Sequence, residues 1–205
     1  MKRFKQEQKH WLVGITITVM IALAFGGCDS LFDSDNNDDK SGKSSGSIQN
    51  DAGAKQLARD IYYMMYYYFD STLPENYEFK NYPYNGQTGT VTVTGTKTKN
   101  PYGSYNYSYI TNVSLVFSDF STSYSNLELI SGSGTYYYWY RTSEWNYERK
   151  NEGNITLNSC EFSYIYSGKK YTGTVSLNLN FERITSLFFS GTIIINGQTF
   201  NLYFC

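Results

Sequence analysis

The chain has 205 residues, of which 22 are tyrosine, and a formal net charge of −1 at pH 7. This charge argues against nucleic acid as a partner, because nucleic-acid binding requires a concentrated basic face. The only histidine is His10, so a histidine base is excluded from any site beyond the N-terminal segment, and with it the serine–histidine type of hydrolase.

The first 25 residues have a positively charged start and an apolar continuation. Residues 1–10 carry four cations and one anion, and residues 11–25 contain no charged side chain. A charged segment followed by about 7 to 15 apolar residues is typical of a secretory signal peptide. A membrane-spanning helix needs about 20 apolar residues, which is more than this run contains. An uncleaved anchor helix running through Gly27 is the alternative interpretation.

Small residues and a cysteine follow the apolar run, in the order Phe25, Gly26, Gly27 and Cys28. With its flanks, this stretch resembles the lipobox of bacterial lipoproteins, with Phe25 where that pattern usually has leucine. The resemblance implies cleavage before Cys28, diacylglycerol on its sulfur, and an acyl chain such as palmitate on its new amine. Two or more chains anchor a protein stably to membrane lipid. We therefore expect a cell-envelope protein facing the periplasm or the exterior, with the choice of membrane left open.

Three parts are predicted along the chain: a signal peptide at 1–27, the acylated cysteine with a linker at 28–50, and one domain at 51–205. Four of the 17 basic residues and one of the 18 acidic residues lie in the first part, so the rest carries 13 basic and 17 acidic residues, net −4. The linker is rich in aspartate, serine and glycine and has few apolar residues to bury, which is typical of a disordered segment.

No metal site and no cofactor other than the expected lipid are predicted. The linker begins like an EF-hand loop at Asp33, but Asp38 replaces the required glycine and Ser44 replaces the required glutamate. The common zinc arrangements need histidine or clustered cysteines, and only Cys160 and Cys205 remain. The alternation of side chains along a strand places these two thiols on different faces. It favours a buried Cys160 and leaves open whether a Cys160–Cys205 disulfide forms.

One helix is predicted at about residues 52–69. Apolar residues recur there at helical spacing: Ala54, Leu57, Ala58, Ile61, Met65 and Tyr68. Asp51 can cap its start, and Leu73-Pro74 can end it. Its second half is aromatic nearly all round, so we expect it to lie on a sheet or to plug the open end of one.

From Tyr77 onward the chain alternates apolar and polar residues. The clearest run is Val175, Leu177, Leu179 and Phe181. One-sided alternation predicts antiparallel sheet with one buried face. We predict a mostly β domain, an antiparallel meander of about eight to ten strands forming a β-barrel or a two-layer sandwich. Phe188 and Ile194 oppose a second apolar set on their strand, which predicts that this strand is covered on both faces.

Residues typical of turns separate the predicted strands at six places. They are Asn85-Gly86, Asn100-Pro101, Gly132-Ser133-Gly134, Gly153-Asn154, Ser167-Gly168 and Asn196-Gly197. The last is the strongest hairpin signal in the chain, because Asn-Gly favours the two-residue turns that join antiparallel strands.

Carboxylates are the catalytic groups that remain once histidine is excluded. The candidates for a glycosidase pair are Glu144, Glu148, Glu152, Glu161 and Glu182. Such a pair needs two carboxyl groups about 5–10 Å apart, and the sequence spacing selects no two of these five. We therefore expect no enzymatic activity, with a carboxylate-dependent hydrolase as the second alternative.

The aromatic tract at 136–140, with Trp145 and Tyr147 nearby, is the best candidate for a binding site. In a strand, Tyr137 and Trp139 face one way and the even-numbered tyrosines face the other. If one set is core, the other is either packed as well or exposed, and an exposed Tyr/Trp face suits binding. The leading prediction is an envelope lipoprotein with a non-catalytic binding or scaffolding domain and a protein or glycan partner. The first alternative is a carbohydrate-binding module that uses Tyr137, Trp139, Trp145 and Tyr147.

Overall fold

The computed structural model describes residues 48–101, 107–142, 149–183 and 186–205. The predicted signal peptide, Cys28 and nearly all of the predicted linker lie outside these ranges. One helix and eight strands are present in them: α1 Asp51–Thr72, β1 Tyr77–Asn85, β2 Thr88–Pro101, β3 Tyr107–Ser121, β4 Leu127–Thr142, β5 Arg149–Tyr166, β6 Lys169–Arg183, β7 Leu187–Ile195 and β8 Gln198–Phe204.

The eight strands form one antiparallel sheet in which each strand pairs with the next along the chain. The predictions of a mostly β antiparallel meander, of its strand number and of a single N-terminal helix are therefore confirmed for the described residues. The sheet is open, with β1 and β8 as its edges, and the described residues form no second sheet, so the predicted barrel or two-layer sandwich is not confirmed. Within the described ranges, no helix is both long and apolar enough to cross a membrane.

Helix α1 lies on one face of the sheet, here called the inner face, and the opposite face is the outer face. Its N-cap is Asn50 rather than the predicted Asp51, because the Asn50 side chain accepts a hydrogen bond from the Gly53 N–H at 2.8 Å. Leu73 ends the helix as predicted. The buried Lys97 Nζ donates to the Leu73 carbonyl at 3.0 Å and so satisfies a group at the helix C-terminus that lacks a partner within the helix.

Polar contacts attach α1 to both edges of the sheet. The Tyr68 hydroxyl donates to the Asn85 carbonyl at the end of β1, at 2.8 Å. Arg59 Nη2 donates to the Cys205 carbonyl just beyond β8, at 2.9 Å. Between these contacts, apolar and aromatic side chains of the helix and of the inner face form one buried core. The helix thus lies on the sheet, which is one of the two predicted arrangements.

Two of the predicted turns lie inside strands, and in both cases a neighbouring side chain explains the glycine. Gly132 is in the middle of β4, where an added Cβ would lie 2.6 Å from Cys160 Sγ. Gly153 is in β5, where an added Cβ would lie 2.3 Å from Cζ of Phe181. The prediction of turns at 132–134 and 153–154 was therefore wrong, because these glycines make room for packing across the sheet.

The predicted turns at Ser167-Gly168 and Asn196-Gly197 are confirmed as two-residue hairpin loops. Both residues of each pair have positive φ, at 49° and 74° in the first and 50° and 84° in the second. This is the pattern of a type I′ turn, whose twist matches that of the flanking strands. The register of β5 against β6 and of β7 against β8 starts from these loops.

The outer face of β7 is open, contrary to the prediction that this strand is covered on both sides. Phe189, Ile193 and Ile195 are buried on the inner face, whereas Phe188 and Ile194 are exposed on the outer face. Helix α1 supplies only one layer, so none of the described elements covers the second apolar set.

The prediction of a buried Cys160 is confirmed. Its thiol is free and fully buried, so the Cys160–Cys205 disulfide that the sequence left open is not formed. Cys160 follows a bulge at Ser159, which has a φ of 47° and shifts the register of β5 against β6. Burial raises the pKa of the Cys160 thiol, which keeps it in the inert thiol form.

Candidate functional site

One continuous row of side chains crosses five strands on the outer face. The cross-strand partners in this row are Tyr137, Asn154, Asn180, Ser190 and Tyr203. Directly opposite residues in antiparallel strands point to the same face. Neighbouring strands are about 4.8 Å apart, so the row extends roughly 19 Å from β4 to β8. The row is called the outer row below.

A depression of about 500 Å³ lies along the outer row, and all five row residues line it. Glu152, Glu182 and Phe188, from the neighbouring row, complete its outer-face lining. We call this feature the outer depression. Its long, open shape suits an extended ligand that lies across the strands, since the lining residues come from all strands between β4 and β8.

Aromatic rings stand at both ends of the outer depression. Tyr137 is 38% exposed on β4, Tyr203 is 81% exposed on the edge strand β8, and Phe188 is 49% exposed beside the row. Exposed aromatic rings at defined positions offer flat apolar surface with a polar edge at little cost in conformational entropy. The depression therefore has stacking surfaces at its ends and along one side.

Amide side chains between these rings are held by hydrogen bonds across β5 and β6. Asn154 Nδ2 donates to Oδ1 of Asn180 at 2.9 Å and to Oδ1 of Asn178 at 3.0 Å. It also lies 3.3 Å from the Leu179 carbonyl. These bonds use the oxygens of Asn178 and Asn180, so their Nδ2 groups stay available to a ligand as donors and Asn154 Oδ1 stays available as an acceptor. The three asparagines are called the amide ladder below.

Two of the candidate carboxylates also meet at the outer depression. Glu152 and Glu182 are direct cross-strand partners on β5 and β6, and both line the depression. Glu161 is exposed farther along β5, opposite Thr174. Glu144 and Glu148 lie outside the described residues. The structure thus pairs two glutamates that are 30 residues apart, which their spacing along the chain did not suggest.

The four predicted site residues have different positions. Tyr137 lines the outer depression. Trp139 lies two residues along on the same face, half-buried and opposite Glu152, but outside the lining. Trp145 and Tyr147 lie outside the described residues. Sequence reasoning missed Tyr203 and the amide ladder, because strand register, which it could not supply, is what brings them beside Tyr137.

The even-numbered tyrosines of the same tract belong to the core. Tyr136 and Tyr138 are buried on the inner face, and burial raises the pKa of both hydroxyls well above the usual range. The Tyr138 hydroxyl accepts from Asn151 Nδ2 at 3.4 Å, while the Tyr136 hydroxyl has no hydrogen-bond partner among the described residues. The inner face is therefore occupied by packed rings beneath α1, and the outer face carries the accessible site.

No group of three or more His, Cys, Asp or Glu side chains among the described residues could hold a metal ion. The outer depression thus offers three kinds of chemistry to a ligand: aromatic stacking, amide hydrogen bonding and carboxylate hydrogen bonding. Comparisons of the whole chain with protein-family models, with curated proteins and with solved structures each yield no match.

Proposed function

We propose that this protein is a lipid-anchored lipoprotein of the bacterial cell envelope whose β domain binds carbohydrate on its outer face without catalysing a reaction. The observation that carries the carbohydrate part is the amide ladder between the rings of Tyr137 and Tyr203. A glycan is the ligand class that uses both features: its sugar rings have flat apolar faces that stack on aromatic rings, and its hydroxyl groups hydrogen-bond with amides.

The geometry of the ladder supports a polyhydroxylated ligand. Each sugar hydroxyl is both a donor and an acceptor, and the ladder offers amide N–H donors and a carbonyl acceptor a few ångströms apart. Because the Asn154 side chain is hydrogen-bonded to those of Asn178 and Asn180, the three side chains are ordered before a ligand binds. Preorganised groups lose less conformational entropy when they bind.

The lipid anchor rests on the N-terminal sequence. The charged start, the apolar run and Cys28 after two glycines support export and acylation. The acidic linker would then hold the domain away from the membrane, with its outer face accessible to envelope glycans. Metabolic labelling with a fatty acid tests this part: label is expected on the wild type and absent from Cys28→Ser, and persistent label on the variant would refute the assignment.

Glycan binding is tested on a panel of soluble bacterial envelope polysaccharides and their fragments. We expect binding that falls roughly tenfold in Asn154→Ala and in Tyr137→Ala, which corresponds to about 1.4 kcal/mol for each lost contact. Tyr82→Ala is the matched control, since Tyr82 is 46% exposed but lies on the other edge of the sheet. The absence of binding to any glycan, or equal binding by all variants, would overturn the proposal, and selective capture of a protein would favour a scaffold.

The facing glutamates favour a second candidate function, hydrolysis of a glycosidic bond. Glu152 and Glu182 are direct cross-strand partners, and such partners have Cβ atoms about 4.5–5.5 Å apart, which allows their carboxyl groups to reach the separation of a glycosidase pair. We prefer binding because both carboxylates are on an open sheet face, where water weakens the electrostatic interactions on which catalysis depends. Release of reducing sugar by the wild type, with loss of that release in both Glu152→Gln and Glu182→Gln, would establish the hydrolase instead.

A further inference from the structure

The two edges of the sheet differ in how far they are protected against pairing with another strand. Strand β1 has a register shift between Phe79 and Tyr82, a positive φ of 50° at Asn81, and a proline at position 83. Its exposed residues also include Glu78 and Lys80. Bulges, prolines and charges are the features by which edge strands avoid further pairing.

Strand β8 has none of these features. Its seven residues, Gln198–Phe204, contain no charge and no proline. They pair with β7 without a register shift. The Asn196-Gly197 loop makes Ile195 and Gln198 the first hydrogen-bonded pair of the hairpin, so alternate residues from Thr199 onward direct their N–H and C=O groups away from β7. Among the described residues no strand pairs with this side of β8.

We propose that β8 pairs antiparallel with β8 of a second copy of this chain, around a two-fold axis at Asn201. The outward-directed residues are Thr199, Asn201 and Tyr203. With the axis at Asn201, Thr199 of each copy lies opposite Tyr203 of the other, and the two Asn201 residues face each other. All backbone groups on this side then find partners, as in any antiparallel ladder.

The side chains of β8 favour a second copy as the occupant. A two-fold axis places identical residues near each other, and the uncharged strand brings no like charges together. The three outward-directed residues also share the outer face, so the two Asn201 amides can hydrogen-bond across the axis. Tyr203, which is 81% exposed in one copy, would be partly covered by Thr199 of the other. The outer faces of both copies would then form one continuous surface, on which the two outer rows are offset along the strands because Tyr203 of each copy meets Thr199 of the other.

Oligomeric state tests this inference. The full chain is expressed in bacteria and purified in a mild non-ionic detergent. Its mass is measured by sedimentation, and the mass of the bound detergent is subtracted. We expect a dimer for the wild type, and a dimer dissociation constant at least about tenfold higher for Asn201→Lys, in which two ammonium groups face each other across the axis. Thr192→Lys is the matched control, because Thr192 is the β7 partner of Asn201 on the same exposed face, and it should stay dimeric.

Cross-linking distinguishes β8 pairing from association through the N-terminal segment. Directly opposite, hydrogen-bonded residues have Cα atoms about 5.5 Å apart, which is within the range of a disulfide. In a chain carrying Cys28→Ser and Cys205→Ser, we expect Asn201→Cys to form a covalent dimer on mild oxidation and Thr192→Cys to stay uncross-linked. A monomeric wild type, an Asn201→Lys variant that dimerises normally, or equal cross-linking of both cysteine variants would overturn the inference. Glycan binding by a monomer would leave the proposed function intact.

Discussion

The inner and outer faces of the sheet both carry aromatic residues but hold them in different ways. On the inner face, Tyr136 and Tyr138 are stacked with ring centroids 6.2 Å apart beneath α1. Tyr62 of the helix contacts Phe181 and Phe189 edge-on, at 4.8 and 5.0 Å. On the outer face, Tyr137 and Tyr203 are exposed and are separated by amides. Alternation along the strands thus separates a packed aromatic core from an accessible aromatic surface.

This difference shows how one composition can serve both stability and binding. A buried tyrosine contributes through burial of its ring and constrains its hydroxyl, as in the bond from the Tyr164 hydroxyl to Asp60 Oδ2 at 2.7 Å. An exposed tyrosine contributes little to stability and keeps its ring available to a partner. We therefore expect substitutions on the inner face to change stability, and substitutions on the outer face to change binding.

The largest expected effect is that of Phe69→Ala, on the helix side of the core. Phe69 is fully buried and packs against Tyr136 at a centroid distance of 5.6 Å. Its truncation should lower the free energy of unfolding by about 3–5 kcal/mol, because it removes buried ring surface and leaves a cavity. Phe188→Ala is the same substitution on the outer face and should cost below about 1 kcal/mol. Denaturant unfolding measures both, and equal losses would contradict the division between the faces.

Gly153→Ala should follow in size, with a loss of about 1–3 kcal/mol from overpacking. The new methyl group would meet both the Phe181 ring and the Tyr137 carbonyl oxygen at 2.3 Å. Gly168→Asn is the control: no atom lies within 4 Å of a Cβ at that turn, and asparagine tolerates its left-handed backbone. Thermal unfolding of the two variants compares them, and an unchanged melting temperature in Gly153→Ala would show that the strand yields at this point.

High pH should lower the free energy of unfolding, because tyrosine hydroxyls are buried on the inner face. Burial, with a smaller contribution from Tyr84, raises the pKa of Tyr68 to about 12. Burial likewise raises the pKa of Tyr62 and Tyr164 above the usual value. Above pH 10 the unfolded chain loses these protons while the folded chain keeps them. The contribution of these protonated tyrosines to the free energy of unfolding is therefore complete below about pH 10 and is lost as the pH rises through the folded-state pKa.

The corresponding measurement is denaturant unfolding at several pH values between about 9 and 11.5, with tyrosinate absorbance recorded alongside. Each tyrosine that stays protonated only in the folded state should steepen the decline by up to about 1.4 kcal/mol per pH unit. Tyr68→Phe should give a shallower decline than the wild type. A free energy of unfolding that stays constant over this range would contradict the expected role of the buried hydroxyls.

Much of the fold was predictable from local signals. The apolar spacing in α1, the alternation in β6 and the Asn196-Gly197 turn each depend on a few consecutive residues. The parity argument also separated Tyr137 and Trp139 from the buried tyrosines beside them. The turns predicted at Gly132 and Gly153 were wrong for a physical reason. A glycine that makes room for Cys160 or Phe181 has the same local sequence signal as a glycine that bends the chain.

The site was less predictable because it depends on register across five strands. Tyr203 lies 66 residues after Tyr137, and only the intervening strand lengths, turns and the bulge at Ser159 place them in one row. A slip of one residue in any strand would move its member of the row to the other face. The predicted barrel or two-layer sandwich was likewise not confirmed, since closure depends on whether the edge strands meet and not on alternation within a strand.

The smallest expected change in stability is that of Asn180→Ala, in the middle of the outer row. Its side chain is exposed and accepts one hydrogen bond from Asn154, so the free energy of unfolding should change by no more than about 0.5 kcal/mol. Glycan binding should nevertheless fall roughly tenfold, because one donor is removed and Asn154 loses an orienting partner. A fall in stability of 1 kcal/mol or more with binding unchanged would show that the amide ladder holds the sheet together, which is the opposite division of roles between the two faces.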